Sequence, residues 1–172
     1  METWIALLRG INVGGKHILP MKELTRLLEA NGFSNVKTYI QSGNVVLQSP
    51  TRPEAVIGQL IENRFGFKPS VFILSTDDLR NAAENNPYPT DQGKLVHFFF
   101  LEEEPKSVDY EFLDALKAES EQYKLIEKVF YLYAPEGVGR SKLVEKIGKA
   151  FPAITMTARN LNTINKLLEL IA

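Results

Sequence analysis

The hydrophobic pattern of the N-terminal half predicts six elements in the order strand, helix, strand, strand, helix, strand. TWIALLR is an apolar run bounded by glycine and too short for a core helix, so it predicts a strand. Apolar residues at helical spacing, ended by Gly32, predict the first helix. VKTYIQ and NVVLQS predict two strands joined at Ser42-Gly43, and PSVFIL predicts the last strand. Before PSVFIL, Thr51 and Glu54 have the spacing of a capping box at the start of a second helix.

A connecting segment and a second copy of this order follow along the chain. Residues from Ser75 to about Asn85 predict a short helix, and NPYPTDQG predicts a turn-rich linker. KLVHFFFL then predicts a strand, YKLIE and VFYLY a pair of strands, and PAITM a short final strand. Apolar positions around Phe112 and around Leu143 predict the two intervening helices. Leu161–Ile171 predicts an amphipathic C-terminal helix.

Each half therefore has the βαββαβ order of a ferredoxin-like unit. The predicted fold class is α+β, with two consecutive ferredoxin-like halves packed together and a C-terminal helix. We expect the halves to pack together because TWIALLR and KLVHFFFL are apolar on both strand faces and need cover on both. The expected boundaries are 1–75 for the first half, 76–93 for the helix and linker, and 94–172 for the second half with its C-terminal helix.

The composition narrows the classes of function without selecting one. The 172 residues are 44% hydrophobic and 24% charged, which is typical of globular domains. A formal charge of −1 means that nucleic acid would need a local basic patch. The chain has no cysteine and two histidines, so we expect no metal site and no cofactor. No apolar run approaches the roughly 20 residues of a membrane helix, and no basic leader precedes the first apolar run, so we expect a cytoplasmic protein without a membrane partner.

Three segments combine cations with residues that expose or cap main-chain groups, and the first is LLRGINVGGK. It matches neither the dinucleotide-binding fingerprint nor the P-loop. Gly14 and Gly15 nevertheless permit positive φ and expose N–H groups between Arg9, Asn12 and Lys16, as an anion-binding loop requires. A flexible strand-to-helix connection is the alternative.

The second segment, GVGRSKLVEK, places Arg140, Ser141 and Lys142 at the start of a predicted helix. Cations at this end oppose the helix dipole by about 0.3–1 kcal/mol each, and a docked anion would account for them. The alternative is that exposed cations tolerate this small cost.

The third segment, TARNLNTINK, offers Thr157, Asn160 and Asn162 as caps for the C-terminal helix, with Arg159 beside them. Asparagine and arginine side chains are together suited to bind a phosphate, a carboxylate or a base edge. The alternative is a redundantly capped helix with a solvated arginine.

Signatures of known enzymes are mostly absent: there is no G-x-S-x-G, H-E-x-x-H or D-x-D. His97 lies in an apolar strand and is expected to be a hydrogen-bonded core residue, and nothing at fixed spacing orients His17 for proton transfer. In TYIQSGNVV, Lys37, Tyr39 and Gln41 share one predicted strand face, as in sheets that present aromatic residues to RNA. The paired aromatics of the RNP1 pattern are missing, so a packed tyrosine is the alternative.

LLRGINVGGK, PMKEL, TYIQSGNVV and TARNLNTINKL together resemble an uncharacterised bacterial family, the domain of unknown function numbered sixteen ninety-seven. The likeness extends from Ala6 to about Leu170 and implies two ferredoxin-like halves. Leu161 departs from the family, which often has tryptophan there, and this puts any stacking role at that position in doubt. The family has no established activity. The hallmark positions that the resemblance implies are Arg9, Gly10, Asn12, Gly14, Gly15, Pro20, Gln41, Ser42, Gly43, Asn44, Arg140, Ser141, Lys142, Thr157, Arg159, Asn160, Asn162 and Lys166.

The preferred hypothesis is an anion-binding domain in which the three segments meet in one cleft between the halves. The ligand would carry phosphate and would be a nucleotide, a phosphorylated metabolite or single-stranded nucleic acid. The expected ligand-binding residues are Arg9, Asn12, Gly14, Gly15, Lys16, Asn44, Arg140, Ser141, Lys142, Arg159, Asn160 and Asn162.

Two alternatives stay open at this point. An enzyme acting on a phosphorylated small molecule would use Arg9 and Arg159 as clamps and His17 as acid or base, in a deep and enclosed pocket. A non-catalytic interaction module would use its asparagines and arginines only to hold the halves together, so that Arg9, Asn44, Arg159 and Asn160 would be buried and hydrogen-bonded. The sequence does not decide between a monomer and a homodimer.

Overall fold

The computed structural model describes residues 1–172, which form two compact units. The first unit comprises Met1–Ala83 together with Asn165–Ala172, and the second comprises Glu84–Ile164. Each unit contains a four-stranded antiparallel sheet with interleaved helices. The prediction of two ferredoxin-like halves and a C-terminal helix is therefore confirmed.

The first unit has its strands in the spatial order β2-β3-β1-β4, with β1 antiparallel to both β3 and β4. This is the order that a split βαβ topology produces, because each helical crossover skips one strand position. The elements are β1 Glu2–Arg9, α1 Met21–Ala30, β2 Ser34–Tyr39, β3 Asn44–Ser49, α2 Glu54–Phe65, β4 Ser70–Ser75 and α3 Thr76–Glu84.

The core of the first unit lies between its sheet and helices α1 and α2. Trp4 and Leu8 point to this side of β1 because strand side chains alternate between faces. They pack in one cluster with Leu24, Leu28 and Ile57, which recur at helical spacing on α1 and α2. Burying a side chain of this size contributes about 1.5–3 kcal/mol. This cluster fixes the end of β1, from which the candidate site begins.

The second unit repeats the arrangement with the strand order β6-β7-β5-β8. A short 3-10 turn precedes β5, and another follows α5. The elements are β5 Val96–Leu101, α4 Tyr110–Leu116, β6 Gln122–Ile126, β7 Val129–Tyr133, α5 Lys142–Lys146 and β8 Met156–Asn160. The last helix, α6 Leu161–Ile171, begins in the second unit, and its residues from Asn165 onwards belong to the first.

The core of the second unit is rich in aromatic residues. On the helix-covered face of its sheet, Phe99 and Phe151 each pack edge-on against Phe130, with ring centroids 5.9 Å apart. On the opposite face, Phe98 lies edge-on to Tyr131 at 4.8 Å, and both side chains are buried. The expectation that KLVHFFFL would be covered on both faces is consistent with this burial.

The predicted capping box at Thr51 and Glu54 was wrong. Helix α2 begins at Glu54, and Pro53 occupies the N-cap position, where its side chain can make no capping hydrogen bond. The turn before α2 is stabilised by the hydroxyl of Ser49, which donates to the carbonyl of Thr51 and accepts from the N–H of Thr51. Because Pro53 precedes the first helical residue directly, Thr51 lies too far from the helix to cap it.

Two strand predictions also need correction. The last strand is Met156–Asn160 and not PAITM, because Ala153 has φ +65 and turns the chain before the sheet is reached. The buried positions of this strand are Thr157 and Arg159, so its alternation did not show as a hydrophobic pattern. The strand in VKTYIQ ends at Tyr39, since Ile40 has φ +49 and leaves the sheet. Gln41 is consequently not on the strand face predicted for it.

Candidate anion-binding site

The segment after β1 is a small hairpin, which we call the glycine hairpin and define as residues 12–17. Val13 and Lys16 form an antiparallel bridge, and the N–H of Lys16 donates to the carbonyl of Val13 at 3.0 Å. Gly14 and Gly15, at its tip, have φ +59 and +74, as a two-residue type I′ turn requires at both central positions. Both glycines of the turn are exposed. The glycines are therefore required by the turn itself.

Asn12 anchors the glycine hairpin to the rest of the first unit. Its Nδ2 donates to the carbonyls of Leu19 at 3.0 Å and Gln41 at 2.8 Å, and its Oδ1 accepts from the N–H of Leu19 at 2.7 Å. These bonds link the hairpin both to the segment before α1 and to the β2–β3 loop. The side-chain amide of Asn12 is thus used by hydrogen bonds within the protein. This residue, which was predicted to bind the ligand, instead holds the hairpin in place.

His17 also helps to hold the glycine hairpin in place. Its ring stacks on Phe67 with centroids 4.6 Å apart and planes 12° apart, and its Nδ1 lies 3.1 Å from the carbonyl oxygen of Gly10. That contact orients the imidazole when Nδ1 carries the proton. His17 remains exposed, in contrast to the deep pocket that the enzyme hypothesis predicted around it.

The β2–β3 loop packs against the base of the glycine hairpin through Gly43. Its carbonyl accepts from the N–H of Leu8 at 2.8 Å. A Cβ on Gly43 would lie 2.7 Å from Ile11 Cδ1 and 2.8 Å from Leu8 Cβ, so only glycine fits. Beside it, buried Asn44 donates through Nδ2 to the carbonyl of Tyr39 at 3.0 Å and to Ser42 Oγ at 3.1 Å. Asn44 therefore shapes the loop that carries Gln41 and Ile40.

The charges around the glycine hairpin are positive. Arg9, the last residue of β1, and Lys16 are both exposed. No aspartate or glutamate occurs between Thr3 and Lys22, and residues 3–53 contain six lysines and arginines against two glutamates. One of these, Glu23, forms an ion pair with Arg64 at 3.4 Å. The stretch of chain that carries the glycine hairpin consequently combines cations with few competing carboxylates.

The segment around Arg140 is built differently in the second unit. Ser141 caps α5, because its Oγ accepts from the N–H of Val144 at 3.2 Å, and Arg140 and Lys142 are exposed. Helix α5 has only five residues before it tightens into a 3-10 turn. A helix this short offers a weak dipole, so the predicted cost of the two cations is small.

Arg159 is buried in β8, which corrects its placement in a solvated turn. Its Nη1 donates to Thr157 Oγ1 at 2.9 Å and to the carbonyl of Ala158 at 2.8 Å. Burial lowers the pKa of Arg159 to about 10. Arg159 is the register partner of Phe98 and so lies on the sheet face opposite α4 and α5. Within the second unit the Arg140 and Arg159 segments are therefore not brought together.

Asn160 and Asn162 of the third segment have local roles. Asn160 caps α6, since its Oδ1 accepts from the N–H of Thr163 at 3.0 Å. Asn162 is exposed, and its Oδ1 occupies the position that a Cβ on Gly93 would need. Of the three candidate caps, the structure uses Asn160.

His97 departs from its expected role. The ring is half-buried, and its Nε2 is buried without a hydrogen-bond partner. Burial lowers the pKa of His97, and a main-chain hydrogen bond at Lys94 acts in the opposite direction. The expectation of a fully hydrogen-bonded core histidine is thus met at one ring nitrogen only.

The second unit also has a shallow groove beside α4, and its charge does not suit an anion. Glu104 and Glu127 line it together with Lys106, Tyr110 and mainly apolar side chains. No group of three histidine, aspartate or glutamate side chains is placed to hold a metal ion. The glycine hairpin is consequently the best candidate site.

The protein consists of two ferredoxin-like units, and the first unit carries an exposed glycine hairpin flanked by cations. This architecture defines its structural class. A family model described as "Protein of unknown function (DUF1697)" matches residues 1–131, and the chain belongs to this family. The matched range includes the glycine hairpin and the β2–β3 loop, whereas the segments around Arg140 and Arg159 lie beyond it.

A solved structure gives an independent comparison of the fold. The conserved bacterial protein SP0830 from Streptococcus pneumoniae is 24% identical to this chain, with a TM-score of 0.66 and 99% of each chain covered. This likeness concerns the fold alone. No curated protein matches the chain. None of its helices combines the length and apolar character needed to cross a membrane.

Proposed function

We propose that this protein binds a phosphate-bearing ligand at the glycine hairpin of its first unit. The observation that carries the proposal is the exposed Gly14-Gly15 tip with Arg9, Lys16 and His17 around it, in a stretch without carboxylates. Main-chain N–H groups and guanidinium groups are the donors that proteins use most for phosphate oxygens.

The proposed roles divide the site residues into two sets. Arg9, Lys16 and the Gly14-Gly15 turn are exposed, and their side-chain and main-chain donors would contact the phosphate. Asn12 and Asn44 hold the hairpin and the neighbouring loop in shape, so their loss would act through those segments. This division narrows the site to one end of the first unit.

The interaction-module hypothesis explains the burial and hydrogen bonding of some of the predicted site residues. Asn44 and Arg159 are buried and hydrogen-bonded, as it predicts, and Asn160 is hydrogen-bonded but only half-buried. Arg9 does not follow that prediction because it is exposed. An internal structural role leaves the exposed cations of the glycine hairpin unexplained, and this is the reason to prefer ligand binding.

The test compares two pairs of exposed cations. Binding of polyphosphate and of nucleoside triphosphates is measured by calorimetry at several salt concentrations. The double variant Arg9→Ala/Lys16→Ala is expected to lose about tenfold or more in affinity, since charge-assisted hydrogen bonds contribute about 1.5–3 kcal/mol when desolvated and less at an exposed site. Its salt dependence should fall by about one counterion per cation removed.

The matched control is Arg140→Ala/Lys142→Ala, which removes the same charges from the second unit. Equal losses of affinity in both double variants would indicate a general charge effect and contradict the proposal. An absence of saturable, salt-sensitive binding to any phosphate compound would also contradict it.

A further inference from the structure

Exposed apolar side chains are concentrated at the glycine hairpin. The chain has six large hydrophobic side chains that are exposed, and three of them are Val13 in the hairpin, Ile18 directly after it and Ile40 in the β2–β3 loop. They are 66%, 56% and 49% exposed. We call these three residues the apolar tip. The bond from Asn12 Nδ2 to the carbonyl of Gln41 joins the two segments that carry them.

Ile40 is held in a conformation that its side chain disfavours. It has φ +49, a left-handed conformation that is a true outlier for a β-branched residue. Glycine or asparagine would occupy this position without that strain. The chain therefore accepts backbone strain in order to present an isoleucine to solvent, and strain of this kind is concentrated at functional sites.

The apolar tip and the cations stand side by side. Val13 and Lys16 are bridge partners, so their side chains share one face of the hairpin with Cβ atoms about 5 Å apart. Ile18 is exposed two residues after Lys16, whereas Asn12 is hydrogen-bonded to the neighbouring segments and His17 stacks on Phe67. The pair Val13 and Lys16 thus places an apolar group beside a cation on this face.

We infer that the ligand is single-stranded nucleic acid, with phosphates at Arg9 and Lys16 and bases against the apolar tip. This inference rests on the proposed function and specifies its ligand. A single strand alternates an anionic phosphate with a flat base of low polarity in every nucleotide, which matches the charge and polarity of this face. Ile side chains are among the apolar groups that proteins insert between bases. An exposed face also suits a polymer better than a small metabolite, which is usually enclosed.

The experiment uses the full chain and the variant Ile40→Gly. This change removes the apolar side chain and relieves the positive φ, so the fold should be at least as stable as the wild type. Fluorescence anisotropy is measured with a labelled oligonucleotide of about ten nucleotides, and polyphosphate binding is measured in parallel. We expect Ile40→Gly to weaken oligonucleotide binding about tenfold, the change that one lost base contact produces. Polyphosphate binding and the salt dependence of both ligands should be unchanged.

Val56→Ser is the matched control because Val56 is also an aliphatic residue that is 49% exposed, on α2. It should leave oligonucleotide binding unchanged. Equal affinity of wild type and Ile40→Gly for the oligonucleotide, with polyphosphate still bound, would overturn the inference and leave the proposed function standing. A protein that binds neither ligand would contradict both.

Two further outcomes separate the inference from other uses of the apolar tip. A lower melting temperature of Ile40→Gly would assign Ile40 a structural role and overturn the inference. Vesicles containing anionic lipid and an acidic peptide are tested as competing partners. If Ile40→Gly weakened the binding of either one and left oligonucleotide binding intact, the apolar tip would serve that partner and the inference would be wrong.

Discussion

Replacing Gly43 by alanine tests how closely the β2–β3 loop is packed against the base of the glycine hairpin. A Cβ at this position would lie 2.7 Å from Ile11 Cδ1 and 2.8 Å from Leu8 Cβ, and the backbone has φ +92. Holding an alanine in this left-handed conformation costs about 1–2 kcal/mol. Overpacking of a tight core contact adds about 1–3 kcal/mol. We therefore expect Gly43→Ala to lower the free energy of unfolding by roughly 2–5 kcal/mol.

The assay is urea unfolding followed by the fluorescence of Trp4, the only tryptophan in the chain. Trp4 is buried in the core of the first unit and so reports on the unit that contains Gly43. Gly32→Ala is the control, because Gly32 has nearly the same φ, +93, with nothing within 4 Å of the added Cβ. For Gly32→Ala, the free energy of unfolding should fall only by the cost of holding an alanine in the left-handed conformation. Equal losses in the two variants would refute the close packing at Gly43.

Three other variants test separate parts of the structure. Burial lowers the pKa of His97 in the folded protein. As the pH falls below about 6.5, this histidine is therefore protonated in the unfolded chain before it is protonated in the folded one. The free energy of unfolding consequently decreases until the pH reaches the lower pKa of the folded state. His97→Gln should show a shallower loss of urea midpoint as the pH falls below about 6.5. Tyr123→Phe removes a 2.6 Å hydrogen bond to Asp114 and should cost about 1 kcal/mol by thermal unfolding, with an unchanged result contradicting that bond. Asn12→Ala removes three hydrogen bonds to main-chain groups and a longer one to Gln41 Oε1, and should cost about 2–3 kcal/mol, whereas a loss below that of Tyr123→Phe would contradict its anchoring role.

The fold could be predicted where hydrophobic periodicity was strong. Trp4 and Leu8 on β1, and Leu24 and Leu28 on α1, form the predicted pattern because one face of each element meets the same core. The pattern placed the last strand at PAITM, which begins four residues before β8, since the buried positions of β8 are Thr157 and Arg159. Polar residues that are buried through hydrogen bonds look like loop residues in a hydrophobicity pattern.

The candidate site could be predicted only in part. The glycines and cations of the hairpin were recognisable from local chemistry, and the structure gives Gly14 and Gly15 the positive φ that was expected. The apolar tip was missed because Ile40 belongs to a run that predicts a strand, and only its φ of +49 takes it out of the sheet. Asn12 was assigned to the ligand because sequence cannot distinguish an amide that binds main-chain groups from one that faces solvent.

The most direct test of the central claim is a ¹H–¹⁵N NMR titration of the labelled protein with polyphosphate. Glycine amides in an exposed turn report on any oxyanion that they bind. We predict saturable shifts of the Gly14 and Gly15 amides and of the Arg9 side-chain N–H, with smaller shifts elsewhere. Saturation that shifts Arg140 and Lys142 and leaves the glycine hairpin unperturbed would contradict the account.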